Sequence, residues 1–161
     1  MTKQLFYFFI LLVFPLTLVS QSTLTGKVVG IMDGDTFKML TADSTLVKVR
    51  LANIDCPEKK QPYSAKAKEF TSTAVFGKTV TINILKKDRY QRYISNVIYN
   101  DSLSLCHELV KQGLAWHFVK YSKDKSLQQL EDRAKAKGVG LWQDPNPIAP
   151  WVWRSSKKKA K

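Results

Sequence analysis

Leu46-Val47-Lys48-Val49-Arg50-Leu51-Ala52-Asn53 is the stretch whose reading decides the fold. Val47, Val49 and Leu51 alternate with Lys48, Arg50 and Ala52, the periodicity of a half-buried strand, and this sets Arg50 on the face opposite the apolar residues. Upstream, Thr36 to Leu40 is a shorter run of β-formers, and the polar linker Thr41-Ala42-Asp43-Ser44 makes the two runs a hairpin. Before it, Leu24 to Met32 reads as a strand that ends at the turn signal Asp33-Gly34-Asp35. Downstream, past Pro57 and Pro62, Ser64 to Phe76 lacks breakers, places Ala67, Phe70, Ala74 and Val75 on one helical face, and stops at Gly77. Lys78 to Leu85 and Tyr93 to Tyr99 are two further strands around a charged turn. Ser104 to Gln112 carries Leu105, Leu109 and Val110 on one side and stops at Gly113. Ser126-Leu127-Gln128-Gln129 reads as a capping box that opens a helix to Lys137, before Gly138. Three strands, a helix, two strands and two helices predict a mainly antiparallel α+β domain, and five strands of this size suit a small closed barrel.

The ends of the chain differ in character from this middle. Lys3 precedes an apolar stretch from Leu5 to Val19, broken only by Pro15 and Thr17 and followed by Ser20-Gln21-Ser22. That pattern predicts an export signal at residues 1–20, cleaved after Ser20. Its core is shorter than a membrane span of roughly 20 residues needs, and no basic stop-transfer cluster follows, so a retained anchor is the weaker reading. No Cys at the junction invites a lipid. The expected domain is residues 21–145, with a Trp- and Lys-rich tail at 146–161 after Asp144-Pro145-Asn146-Pro147 ends regular structure. Loss of the leader removes one Lys and leaves 25 Lys and Arg against 13 Asp and Glu, a formal +12. So large an excess favours a polyanionic partner, nucleic acid or an acidic surface. Cys56 and Cys106 can form a disulfide in such a compartment or remain as two thiols.

Chemistry concentrates in three short stretches. Asp33-Gly34-Asp35-Thr36 taken alone is a polar turn. Arg50 leads into Asp55-Cys56-Pro57-Glu58, where two carboxylates flank a proline-stiffened bend. Asp88-Arg89-Tyr90-Gln91-Arg92 taken alone is a solvated hairpin tip. Together they supply what phosphodiester hydrolysis requires: oxygen donors for a hard cation, fixed guanidiniums for the charge that builds on the phosphoryl oxygens, and a carboxylate to take a proton from water. His107 and His117 lack a paired-ligand motif with the cysteines, which argues against zinc, and both read as ordinary packing or surface residues.

In succession these stretches, followed by Leu109-Val110-Lys111-Gln112-Gly113-Leu114-Ala115, resemble the thermonuclease, or staphylococcal nuclease-like, family. The resemblance spans roughly Leu24 to Trp142. It implies a five-stranded OB-type β-barrel with three α-helices, in agreement with the pattern above. It implies Ca²⁺ bound by the carboxylates of Asp35 and Asp55 and the main-chain carbonyl of Cys56, with Asp33 acting through water. Glu58 is then the general base, and Arg50 and Arg92 are the guanidiniums on the scissile phosphate. Arg89, Tyr90 and Tyr121 fall where the family meets the terminal phosphate and the bases. The implied reaction cleaves the bond between phosphorus and the 5′ oxygen of single-stranded or denatured DNA, or of RNA, and leaves 3′-phosphates. A secreted or periplasmic monomer with no lasting membrane association follows from the leader and the resemblance together.

This chain also departs from the pattern. Gln91 stands where the family has Gly before the second arginine, a cost of about 1 kcal/mol if that position has positive φ. The segment between Glu58 and the first helix is short, and Val119 replaces a stacking Tyr. Two other classes fit part of the pattern: a non-catalytic OB-fold nucleic-acid-binding module, and a basic adhesion protein that holds acidic polymers. Neither requires Asp35, Glu58 and Arg92 to occur together.

Overall fold

The structure is a computed structural model and describes residues 22–159. The apolar stretch from Leu5 to Val19 and the cleavage expected after Ser20 lie outside the described residues. Among the described residues no helix is long and apolar enough to cross a membrane.

The strands are β1 (Thr23–Asp33), β2 (Thr36–Thr41), β3 (Leu46–Leu51), β4 (Ile54–Asp55), β5 (Thr79–Lys87), β6 (Tyr93–Tyr99), β7 (Leu103–Ser104) and β8 (Trp116–His117). The helices are α1 (Ser64–Val75), α2 (Leu105–Lys111), α3 (Lys125–Ala136) and α4 (Pro150–Lys159), with a 3₁₀ turn at Gly140–Gln143. The main sheet runs β3-β2-β1-β5-β6-β7, and a parallel pairing of β3 with β6 closes its five long strands into the expected barrel. Register irregularities between Val28 and Gly30, between Ile31 and Asp33, and between Ile84 and Lys86 give the bend that a closed sheet this small needs.

Alternation in β3 behaves as its sequence predicts. Val47, Val49 and Leu51 are buried, while Lys48 is exposed and Arg50 is half-buried on the other face. Phe37, Met39, Val28, Ile82 and Val97 fill the barrel, and Leu105 and Leu109 of α2 cover one end. Each such side chain contributes about 1.5–3 kcal/mol on burial. The helix α1 ends as expected before Gly77, which has positive φ.

Three helices were expected, and four are present among the described residues. The fourth, α4, arises within the expected tail, because Pro150 stands at its first position, where a missing N–H costs nothing. The cap of α3 is also displaced from expectation. Asp124 caps it, with Oδ1 accepting from the backbone N–H of Ser126 at 2.8 Å and of Leu127 at 3.4 Å, so Ser126 lies inside the helix.

At the end of α2, Gly113 has φ +61, and a Cβ there would lie 2.1 Å from the carbonyl oxygen of Val139. Gly113→Ala is therefore expected to cost well over the roughly 1–2 kcal/mol of a left-handed non-glycine residue, read as a lower urea midpoint. Gly77→Ala, where φ is +74 and a Cβ would meet nothing within 4 Å, should stay near that figure.

Candidate active site

The turn between β1 and β2 carries Asp33 and Asp35 and is pinned from below. The Thr71 hydroxyl of α1 donates to the Gly34 carbonyl at 2.6 Å, and a Cβ on Gly34 would lie 2.7 Å from that of Ala67. Only glycine allows the turn to sit this close to α1. Asp33 stays at the exposed rim while Asp35 is buried. Asp35 Oδ1 accepts from the Thr36 hydroxyl at 2.8 Å, and its Oδ2 accepts from the backbone N–H of Cys56 at 3.3 Å.

Arg50 joins this turn to the next segment. Asn53, at φ +65, turns the chain from β3 into β4, and β4 is held by antiparallel pairing of Ile54 with His117 and of Asp55 with Trp116. The turn brings Asp55 back to Arg50. Arg50 Nη2 lies 2.7 Å from Asp55 Oδ1 and 3.2 Å from Asp35 Oδ2, while Nη1 donates to the carbonyls of Leu51 at 3.1 Å and Ile54 at 3.3 Å. Burial would lower the Arg50 pKa, but Asp35 and Asp55 outweigh it and carry it above its ordinary value. Burial raises the pKa of Asp55, only 1 % exposed, above its ordinary value, with its guanidinium neighbours offsetting part of the effect. Asp33 is raised too, by partial burial and by the nearby charges of Asp35 and Glu58.

Beyond Asp55 the chain turns at Lys59 and Lys60, where Lys60 has φ +73. The Glu58 N–H donates to Gln61 Oε1 at 2.9 Å, and the Gln61 N–H donates back to the Glu58 carbonyl at 2.8 Å. Cys56 and Cys106 are both free and buried. Burial pushes the Cys56 thiol well above its ordinary pKa and that of Cys106 up to about 12, so both stay protonated at neutral pH.

The third stretch approaches across the barrel, since β3–β6 pairing sets Arg50 against Ile94 and Val49 against Tyr93. Within the turn, Asp88 Oδ1 accepts from the backbone N–H groups of Tyr90 at 2.9 Å and Arg92 at 3.0 Å, and Oδ2 accepts from Arg92 Nε at 2.8 Å. Gln91 has φ +63, so the expected strain is present at this turn. The Arg89 and Arg92 guanidiniums lie 4.8 and 5.5 Å from the center of the Tyr90 ring, which is 60 % exposed.

All three stretches open on one groove of about 1050 Å³. Asp33, Asp35, Arg50, Cys56, Glu58, Arg89, Tyr90, Arg92 and Tyr121 line it, with Asp55 buried beneath the lining and joined to it through Arg50. Tyr121, 64 % exposed, stands edge-on to Phe118 at 4.8 Å between ring centers. Residues 48–144 match the family model described as Staphylococcal nuclease homologue. The chain belongs to the staphylococcal nuclease homologue family. An "Uncharacterized endonuclease" of Haemophilus influenzae is 44 % identical over 150 residues, covering 92 % of this chain and 84 % of that protein. One of the same description from Escherichia coli is 38 % identical over 132 residues, covering 82 % and 86 %. The "Micrococcal nuclease" of Shigella flexneri is 34 % identical over 146 residues, covering 84 % and 83 %.

Sequence reasoning passed over two groups in this family member. Asp88 was read only as part of a charged tip, although an Asp four residues before an Arg across a tight turn is a signal for such a clamp. Arg154 lies in the segment expected as a tail, and nothing near it in sequence points to the groove. Its Nη1 donates to Glu58 Oε1 at 2.5 Å and to Asp55 Oδ1 at 3.3 Å, and its Nη2 to Asp55 Oδ2 at 2.8 Å. The histidines serve packing: His117 bridges Gln128 and Ser122, and His107 bridges Ser104 and Ser126.

The clamp on Arg92 has a pH signature. Burial acts to raise the Asp88 pKa, but hydrogen bonds from Arg92 and Tyr90 outweigh it, and the folded value is depressed. A depressed carboxylate contributes stability above its unfolded pKa of about 3.9 and loses it as pH falls through the folded value. Asp88→Asn should thus cost roughly 0.5–1 kcal/mol at pH 7, with the difference from wild type closing below about pH 4 in urea unfolding.

Proposed function

We propose that this chain is a calcium-dependent nuclease that hydrolyses DNA and RNA between phosphorus and the 5′ oxygen, leaving 3′-phosphates. The observation that carries the reading is the convergence of Asp35, Glu58, Arg50 and Arg92, drawn from three separated segments, on one groove, with Asp55 beneath it and paired to Arg50. Family membership and the relatives' names support nuclease activity. The net charge of +13 supports a polyanionic substrate.

The donor chemistry fits calcium. Asp35 and Asp55 already converge on one positive center, the Nη2 of Arg50, and both offer the oxygen atoms that a hard cation prefers. The family resemblance assigns the third donor to the main-chain carbonyl of Cys56, whose thiol burial keeps protonated, and both histidines are engaged elsewhere. Bound calcium would supply a fixed positive charge against the phosphoryl oxygens. Asp33, at the rim, would act through water. Glu58 takes the proton from the attacking water as oxygen closes on phosphorus. Arg50 and Arg92 hold the equatorial oxygens, where planar guanidiniums match the charge in a way that Lys cannot. Arg89, Tyr90 and Tyr121 extend the contact along the groove, the two exposed rings offering faces for bases. The reading extends to a monomer exported to the periplasm or the medium, supported by the apolar stretch at Leu5 to Val19.

The full chain should digest heat-denatured DNA and RNA when calcium is supplied, and a calcium chelator should stop it. Binding without any product at every metal concentration would instead identify a non-catalytic module. Arg92→Ala should lower turnover on the order of 10³-fold or more, as loss of a transition-state arginine does. A twofold change would remove Arg92 from that role. Glu58→Gln should abolish the proton transfer and show a comparable loss at unchanged DNA affinity.

A further inference from the structure

The C-terminal helix does more than cover the barrel. Gln61 Nε2 donates to the Ile148 carbonyl at 2.5 Å, and the Ala149 carbonyl accepts from the N–H groups of Val152 and Trp153 at 3.0 Å, fixing where α4 begins. Trp151 stacks on Phe118 with ring centers 5.0 Å apart and planes 1° from parallel, and meets Trp116 edge-on at 5.7 Å. Arg154 follows three residues later, on the same helical face. The aromatic stack therefore delivers a guanidinium to the carboxylates.

Arg154 makes three contacts there, two to Asp55 and one to Glu58. Asp55 consequently lies between two guanidiniums, Arg50 on Oδ1 and Arg154 on both oxygens. The two arginines differ in their freedom. Arg50 is held by two main-chain carbonyls and is 16 % exposed, whereas the Arg154 side chain is 39 % exposed and, among the described residues, bonds only to the carboxylates. A cation that takes oxygen lone pairs from Asp55 meets Arg154 already on them. Asp55 Oδ1 already accepts from both Arg50 at 2.7 Å and Arg154 at 3.3 Å, so a divalent ion arriving at this carboxylate would meet the repulsion of two guanidiniums. Of the groups on Asp55, Arg154 is the one that can leave.

We propose that Arg154 is a resident counter-cation of the Asp55 and Glu58 carboxylates, displaced when a divalent ion binds, so that α4 sets the metal concentration at which the site assembles. The proposal rests on the calcium-dependent reading above. Arg154 neutralises Asp55, which is almost wholly buried and would otherwise rely on Arg50 alone to offset its charge. Metal entry exchanges that pair for metal–oxygen bonds and frees Glu58 Oε1 from its short contact with Arg154, leaving Glu58 able to accept a proton. Because coupling is reciprocal, calcium must also weaken the attachment of α4.

Calcium binding to the full chain, followed by calorimetry, tests this without reference to turnover. Arg154→Gln should bind calcium about tenfold more tightly than wild type, within the range usual for coupled sites. Arg154→Lys, which keeps the charge but not the two-pronged contact, should fall between them. Trp151→Ala, which loosens α4 without altering the carboxylates or Arg154 themselves, should also tighten binding and guards against a folding defect peculiar to position 154. In wild type, saturating calcium should speed hydrogen exchange across residues 152–157. Unchanged or weaker calcium binding in Arg154→Gln and Trp151→Ala, with wild type still binding calcium, would overturn the role of Arg154 and leave the nuclease reading standing. Absence of calcium binding in every form would overturn both.

Discussion

Closure of the barrel between β3 and β6 is the constraint on which the other features depend. Parallel pairing of Val49 with Tyr93, Arg50 with Ile94 and Leu51 with Ser95 joins two strands separated by β4, α1 and β5 in sequence. The Leu51 N–H donates to the Asp35 carbonyl at 2.9 Å, and the Ala52 N–H donates to the Ser95 carbonyl at 2.9 Å, so the same strand end carries the aspartate turn on one side and the β6 strand on the other. Without this seam, two edge strands would expose unpaired backbone groups, and the arginine turn would have no fixed relation to the acidic residues.

Electrostatics then constrain what the convergence can do. A carboxylate as buried as Asp55 persists as an anion only with cationic partners, and it has two guanidiniums within hydrogen-bonding distance. They differ in tenure. Arg50 is locked by main-chain carbonyls into the floor of the groove, and Arg154 reaches in from a helix held by stacked aromatic rings. On the other wall, Asp88 does for Arg92 what the carbonyls do for Arg50, spending a carboxylate to fix a guanidinium beside the open space. The site is thus built from opposed charges that hold one another in place.

The positive φ of Gln91 belongs to the same economy of form. A tight turn was needed to return the chain from β5 to β6 while presenting two arginines and a tyrosine, and the left-handed residue is tolerated because Asp88 bonds both Tyr90 and Arg92 across it. Backbone strain of this kind persists where surrounding bonds over-determine the conformation.

Much of this was legible in the residues themselves. Alternation in Leu46 to Leu51 sets the buried face and the outward Arg50, and breakers such as Gly77 and Gly113 bound the helices, because strand and helix periodicity and backbone sterics act over a few neighbours. The candidate residues were legible as three polar stretches, each ordinary alone. The fourth helix was not, since the prolines and lysines of 145–161 read as a tail, and its aromatic anchor Trp151 finds its ring partners, Trp116 and Phe118, far away in sequence. Convergence of Asp35, Asp55, Glu58 and Arg92 on one groove, and the placement of Arg154 against two of them, were decided by tertiary structure alone. Local pattern specifies which face of a strand is wet, whereas distances between groups that far apart in the chain are set by how the barrel closes and what packs upon it.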